Sequence, residues 1–140
     1  MLGALLRIPF QSIVDRIYEE LAEAGYSDLR QPHFVVFQHM KPQGVRLIDL
    51  AEKAQITKQS MSYLVGYLEK SGYVEKFPDP SDGRAQLICL TEAGKDVENI
   101  ARSAIAHLQI EWEEIVGEEK MNELFQTLLE LVTYIEKDNS

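Results

Sequence analysis

Between Lys58 and Lys70 the chain spaces amide, hydroxyl and phenol groups so that they fall on one side of a helix. At about 100° per residue, Gln59, Tyr63, Gly66 and Lys70 share the outward face, with Ser62 and Tyr67 on its flanks. Glu69 is the only acid between Thr57 and Gly72. A face rich in donors and acceptors but nearly free of carboxylate suits a polyanion with hydrogen-bonding edges, which is the chemistry of the DNA major groove. On this reading Gln59, Ser60, Ser62 and Tyr63 meet base edges, and Lys58, Tyr67 and Lys70 meet phosphates. Tyr67 has a second option, packing on the hairpin that follows. Arg84 lies just past the turn Asp79-Pro80-Ser81-Asp82-Gly83. A guanidinium on a projecting turn fits a narrow minor groove, where the potential is most negative. Asp79 or Asp82 would aim it. The plainer alternative is a solvated arginine paired with either acid.

Other chemistries find little support. His33 and His39 stand six residues apart and His107 is distant, without the spacing of a zinc motif. Structural or surface roles are expected for them, or a place for His33 and His39 beside a pocket. Glu19, Glu20 and Glu23, and Glu111, Glu113 and Glu114, read as solvated helix faces. The single cysteine, Cys89, excludes an intramolecular disulfide and reads as a small hydrophobe in a strand. There is no glycine-rich phosphate loop and no nucleophile–base motif, so no enzyme, cofactor or metal is expected. The apolar stretch from Met1 to Phe10 is too short for a secretory signal, and no segment reads as a membrane span. A cytoplasmic location is expected.

The elements that must hold these groups are legible around them. Leu50, Ala51 and Ala54 recur at helical spacing. Thr57 is a good N-cap for the next helix, because its hydroxyl accepts from an otherwise unpaired N–H. Met61, Leu64, Val65 and Leu68 give that helix an apolar stripe at i, i+3, i+4, i+7. Ser71-Gly72 ends it, glycine tolerating the left-handed position. YVEKF (73–77) and AQLICL (85–90) then read as strands around the turn DPSDGR (79–84), in which Pro80 and Asp82-Gly83 are the turn signals. Tyr73 is expected in the core. Pro32 sits in the first turn of a short helix, and 41–44 is a loop.

Helix, turn, helix and hairpin in this order resemble the MarR (multiple antibiotic resistance regulator) family of winged helix-turn-helix transcription regulators. The resemblance is carried by IDLAEKAQITKQSMSYLVGYLEKSGYVEK, the wing signature DPSDGRA (79–85) and LTEAGK (90–95). It covers nearly the whole chain. It implies an obligate homodimer on a pseudo-palindromic duplex operator, a repressor, and release by small phenolic or lipophilic effectors or by oxidation. The family often carries a basic residue before the wing's proline turn. Lys76 stands near that position and is read, with Arg84, as a DNA contact of the wing; because Phe77-Pro78 follows it, one phosphate contact is expected to be lost or shifted. The helix is richer in tyrosine and poorer in arginine than in many relatives, so an operator sequence does not transfer. Peroxide-sensing relatives use a cysteine near the first helix; none lies there, which disfavours oxidation sensing.

The expected fold is therefore mainly α with a small β-hairpin wing: one domain over 1–140, with a winged helix-turn-helix over about 32–91 and dimerisation helices over about 4–25 and 92–137. Long apolar stripes in both flanks exceed what the winged core needs, and a second copy would bury the rest. An apolar cleft for an effector is expected where these helices meet the winged module, with Phe10, Phe34, Phe37 and Trp112 nearby; the alternative is that these rings fill the core. The net charge of −9 looks wrong for a DNA partner. Its distribution does not: 41–86 holds seven Lys/Arg against six Asp/Glu, leaving seven basic and seventeen acidic residues elsewhere, a net of −10. Those acidic flanks keep open a second function class, a winged-helix protein-interaction module that no longer binds DNA.

Overall fold

The computed structural model describes residues 1–139. Its elements run α1 (Leu2–Glu23), α2 (Gln31–Gln38), β1 (Val45–Arg46), α3 (Leu47–Ala54), α4 (Lys58–Lys70), β2 (Val74–Asp79), β3 (Asp82–Leu90), α5 (Glu92–Val116) and α6 (Glu118–Asp138). This is the winged helix-turn-helix order between long terminal helices. Gln55 makes the turn between α3 and α4 in the left-handed region, at φ 57° and ψ 40°. Thr57 then caps α4, its Oγ1 accepting from the Ser60 N–H at 3.0 Å. The apolar stripe of α4 faces inward as expected: Met61, Val65 and Leu68 are fully buried against Leu50, Val36, Val45 and Ile88.

The sheet has three strands in the order β1-β3-β2, all antiparallel. Sequence reading placed no strand at Val45–Arg46, because two residues carry no periodicity; pairing with Leu87 and Ile88 makes them one. The hairpin is also tighter than expected. Asp79 pairs with Asp82, so only Pro80 and Ser81 form the tip, and Asp82-Gly83-Arg84 begin β3 instead of belonging to the turn. The cause is Asp79, whose carboxylate accepts from the Ser81 N–H at 2.9 Å and the Ser81 hydroxyl at 2.8 Å. An irregularity in register between Pro78 and Asp79 absorbs the difference.

The wing joins α5 by a close approach. Thr91 caps α5 by accepting from the Gly94 N–H at 3.1 Å, and its hydroxyl donates to the Gly72 carbonyl at 2.5 Å. The Thr91 N–H donates to the Tyr73 carbonyl at 3.0 Å. A Cβ on Gly94 would lie 2.1 Å from that same carbonyl oxygen. The glycine of LTEAGK is thus required by contact with backbone.

The flanking helices leave much apolar surface uncovered. From α1 only Val14, Ile17 and Leu21 are buried, while Leu2, Leu5, Ile8 and Phe10 are exposed. No residue of α6 is buried, although Leu124, Phe125, Leu129, Val132 and Ile135 line it. Gly117 breaks α5 from α6 at φ 96°. Among the described residues no helix is long and apolar enough to cross a membrane.

Gly94→Ala is expected to lower stability by about 2 kcal/mol, the scale of core overpacking, read as a drop in the urea midpoint. An unchanged midpoint would contradict the tight seam between α5 and Tyr73.

Candidate nucleic-acid interface

The outward face of α4 is open. Lys58, Gln59, Ser60, Ser62, Tyr63 and Lys70 are all exposed, Tyr63 by 79%. The Ser60 hydroxyl accepts from Thr57 Oγ1 at 2.9 Å, which leaves its own proton available. Tyr67 is placed otherwise than expected. It keeps 36% of its surface exposed but is tied into the fold. Its hydroxyl donates to the Asp28 carbonyl, and its ring stacks on His33 with centroids 4.4 Å apart and planes 2° from parallel. Both partners precede α3, and no local sequence pattern marks the pairing.

The back of α4 is held by that same corner. The Tyr73 hydroxyl donates to Asp28 Oδ1, and the Tyr26 hydroxyl donates to Asp96 Oδ2 of α5 at 2.6 Å. Burial, then the Asp28 carboxylate, pushes the Tyr73 phenol far above its ordinary range. His33 Nδ1 accepts from the Arg30 N–H at 2.8 Å, capping α2. Burial, then the Arg30 charge, holds the His33 imidazole below its ordinary pKa, which favours the neutral ring that this hydrogen bond needs.

At the wing, Arg84 projects with its side chain 95% exposed. Asp82 is the acid that aims it, accepting from the Arg84 N–H at 3.1 Å and from Nε at 3.5 Å. Asp79 does not. It is buried and accepts from Arg46 Nε at 2.6 Å, so it supports the wing from within. Sequence reading gave Arg46 no role, since its partner is visible only once β1 pairs with β3. Lys76 is not a free cation either, because it pairs with Glu69 at 3.4 Å. Of the seven Lys/Arg in 41–86, Lys41, Lys53, Lys58 and Lys70 form no salt bridge among the described residues. Lys41 and Lys53, also missed, line one hollow of about 420 Å³ with Arg46, Asp49 and Glu52. A side-chain hydrogen bond with Lys41, then the Lys41 charge, holds the Lys53 ammonium below its ordinary pKa.

Between α1, α2 and α5 lies a cleft of about 430 Å³. Phe10, Phe34 and Phe37 line it as expected, with Gln31, Glu98 and Arg102 as polar groups. Trp112 does not. It lines a separate groove of about 250 Å³ against α6. His33 and His39 stay outside the cleft too. His107 faces Glu20 at 3.0 Å, and among the described residues no group of three His, Cys, Asp or Glu is arranged to hold a metal.

Residues 27–85 match the model of the MarR family. Over those residues, which hold the helix-turn-helix and most of the wing, the chain is similar to the MarR family. It is 28% identical to the transcriptional activatory protein BadR of Rhodopseudomonas palustris, over 61% of this chain and 47% of that one. It is 31% identical to the transcriptional regulator HosA of Escherichia coli, over 66% of this chain and 65% of the other. These matches thus span about half to two thirds of those relatives' length. FabT of Streptococcus pneumoniae, solved in complex with DNA, shares the fold at a TM-score of 0.78, covering 97% of this chain and 96% of its own at 17% identity.

The Ser81 backbone N–H, then the Ser81 hydroxyl and Arg46, hold the Asp79 carboxyl below its ordinary pKa against the opposing effect of burial. A carboxyl whose folded pKa is depressed stabilises the fold above its unfolded pKa, and that contribution is lost as the pH falls through the folded value. The Tm gap between wild type and Asp79→Asn is therefore expected to be widest above about pH 5 and to close towards about pH 2. A gap that ignores pH would contradict this arrangement.

Proposed function

We propose that this chain is a homodimeric, sequence-specific DNA-binding transcription regulator of the MarR family. The observation that carries the reading is the exposed polar face of α4, with lysines at both ends that form no salt bridge among the described residues, standing beside a projecting Arg84. Gln59, Ser60, Ser62 and Tyr63 read base edges in the major groove. Lys58 and Lys70 position the helix on phosphates, with Lys41 and Lys53 as further anchors towards the wing. Arg84 enters the minor groove, aimed by Asp82. Lys76 acts indirectly, by neutralising Glu69. The uncovered apolar faces of α1, α5 and α6 support a twofold dimer. Such a dimer presents two recognition helices about 34 Å apart, one turn of DNA, and so reads a pseudo-palindrome. Bound across a promoter, such a dimer represses. The phenylalanine-lined cleft supports a small aromatic or lipophilic effector.

The reading is tested on a duplex enriched from a random pool by the wild-type protein. Lys70→Ala is expected to weaken all sequences alike and reduce the salt slope by about one. Gln59→Ala and Tyr63→Ala relax sequence preference instead, and Arg84→Ala weakens binding with an altered A·T dependence. Preference left intact by Gln59→Ala and Tyr63→Ala would rule out α4 as the reader. A confirmed dimer that enriches nothing even at low salt would point to the protein-interaction module.

A further inference from the structure

One residue on the outward face of α4 has no explanation inside the fold. Gly66 lies in mid-helix, in line with Gln59, Tyr63 and Lys70. Its backbone is not in the left-handed region that favours glycine. A Cβ built there meets nothing within 4 Å. Gly44 and Gly94, by contrast, answer to a neighbour: a Cβ on Gly44 would strike Cys89 Sγ at 2.7 Å, and one on Gly94 the Tyr73 carbonyl. Glycine inside a helix costs stability relative to alanine, because it surrenders more backbone freedom on folding. Thus α4 carries a weakness that nothing within the chain requires.

We infer that Gly66 is a notch into which the sugar–phosphate wall of the DNA groove fits, a positioning role that rests on the DNA-binding reading above. Glycine serves where another backbone must come close to the chain. The surroundings suit a phosphate. Lys70 stands one turn further along the same face without an ion-pair partner among the described residues. The Ser62 hydroxyl and Tyr63 phenol stand one turn before it, both exposed. The one carboxylate of α4, Glu69, is neutralised by Lys76 at 3.4 Å. A side chain at position 66 would hold the duplex off and lift Tyr63 and Gln59 away from the bases together.

The test separates fold from partner, since the two respond with opposite signs. Gly66→Ala is expected to raise Tm by about 3 °C, as helix propensity improves without a clash. The same variant is expected to bind the enriched duplex about tenfold more weakly, and Gly66→Leu more weakly again. An alanine variant that binds as tightly as wild type overturns the notch. So does a lowered Tm, which would place the need for glycine within the fold. A wild type that enriches no duplex removes the DNA-binding reading and the notch with it.

Discussion

Two tyrosine hydroxyls converge on Asp28, and the pose of the recognition helix depends on that convergence. Tyr67 reaches back from α4 to the Asp28 carbonyl, and Tyr73 reaches from the chain after α4 to its carboxylate. Tyr73 also supplies the carbonyl that receives the Thr91 N–H and against which Gly94 packs. One corner therefore joins the end of α4, the start of the wing and the start of α5, and Tyr26 extends it to Asp96. Magnitudes divide the labour. Burying Met61, Val65 and Leu68 contributes about 1.5–3 kcal/mol each, whereas a hydrogen bond nets about 1 kcal/mol. Packing supplies the stability and the tyrosines supply the angle. With its back fixed in this way, α4 is free to give its whole outer face to polar groups.

The same division resolves the charge. A net of −9 would repel DNA if it were spread evenly. It is not, because the excess acid lies on the flanking helices while 41–86 is slightly basic. At physiological salt exposed charges are screened beyond about 8 Å. The potential near α4 is set by local groups, and there the ion pairs matter more than the sum. Glu69 is answered by Lys76 and Asp79 by Arg46, while Lys41, Lys53, Lys58 and Lys70 form no salt bridge among the described residues. Acid on the flanking helices then serves solubility without opposing the polar face of α4.

Much of this was legible because it is local. Thr57 and Thr91 announce helix starts, Gly72 and Gly117 announce helix ends, and the Met61–Leu68 stripe fixes which side of α4 faces in. The exposed members of the candidate site follow from that stripe alone. What sequence could not yield depends on pairs far apart in the chain. Arg46 meets Asp79, Tyr67 meets Asp28 and His33, and β1 exists only because β3 lies beside it. The hairpin tip was misjudged for a local reason of its own, since Pro80 and Asp82-Gly83 both signal turns. The Asp79–Ser81 hydrogen bonds close the turn at the earlier of the two. Trp112 was drawn towards the cleft by its chemistry, although its position on α5 turns it to α6.

The proposed reading joins the uncovered apolar faces and the polar face of α4: two chains act on one duplex. The most direct measurement is a fluorescence-anisotropy titration of DNA from just upstream of the protein's own coding region, at two salt concentrations and with excess nonspecific competitor. Saturation at two chains per site is expected, with affinity that falls with salt and survives the competitor. Binding at low salt that the competitor abolishes, or no binding at all, would contradict the reading.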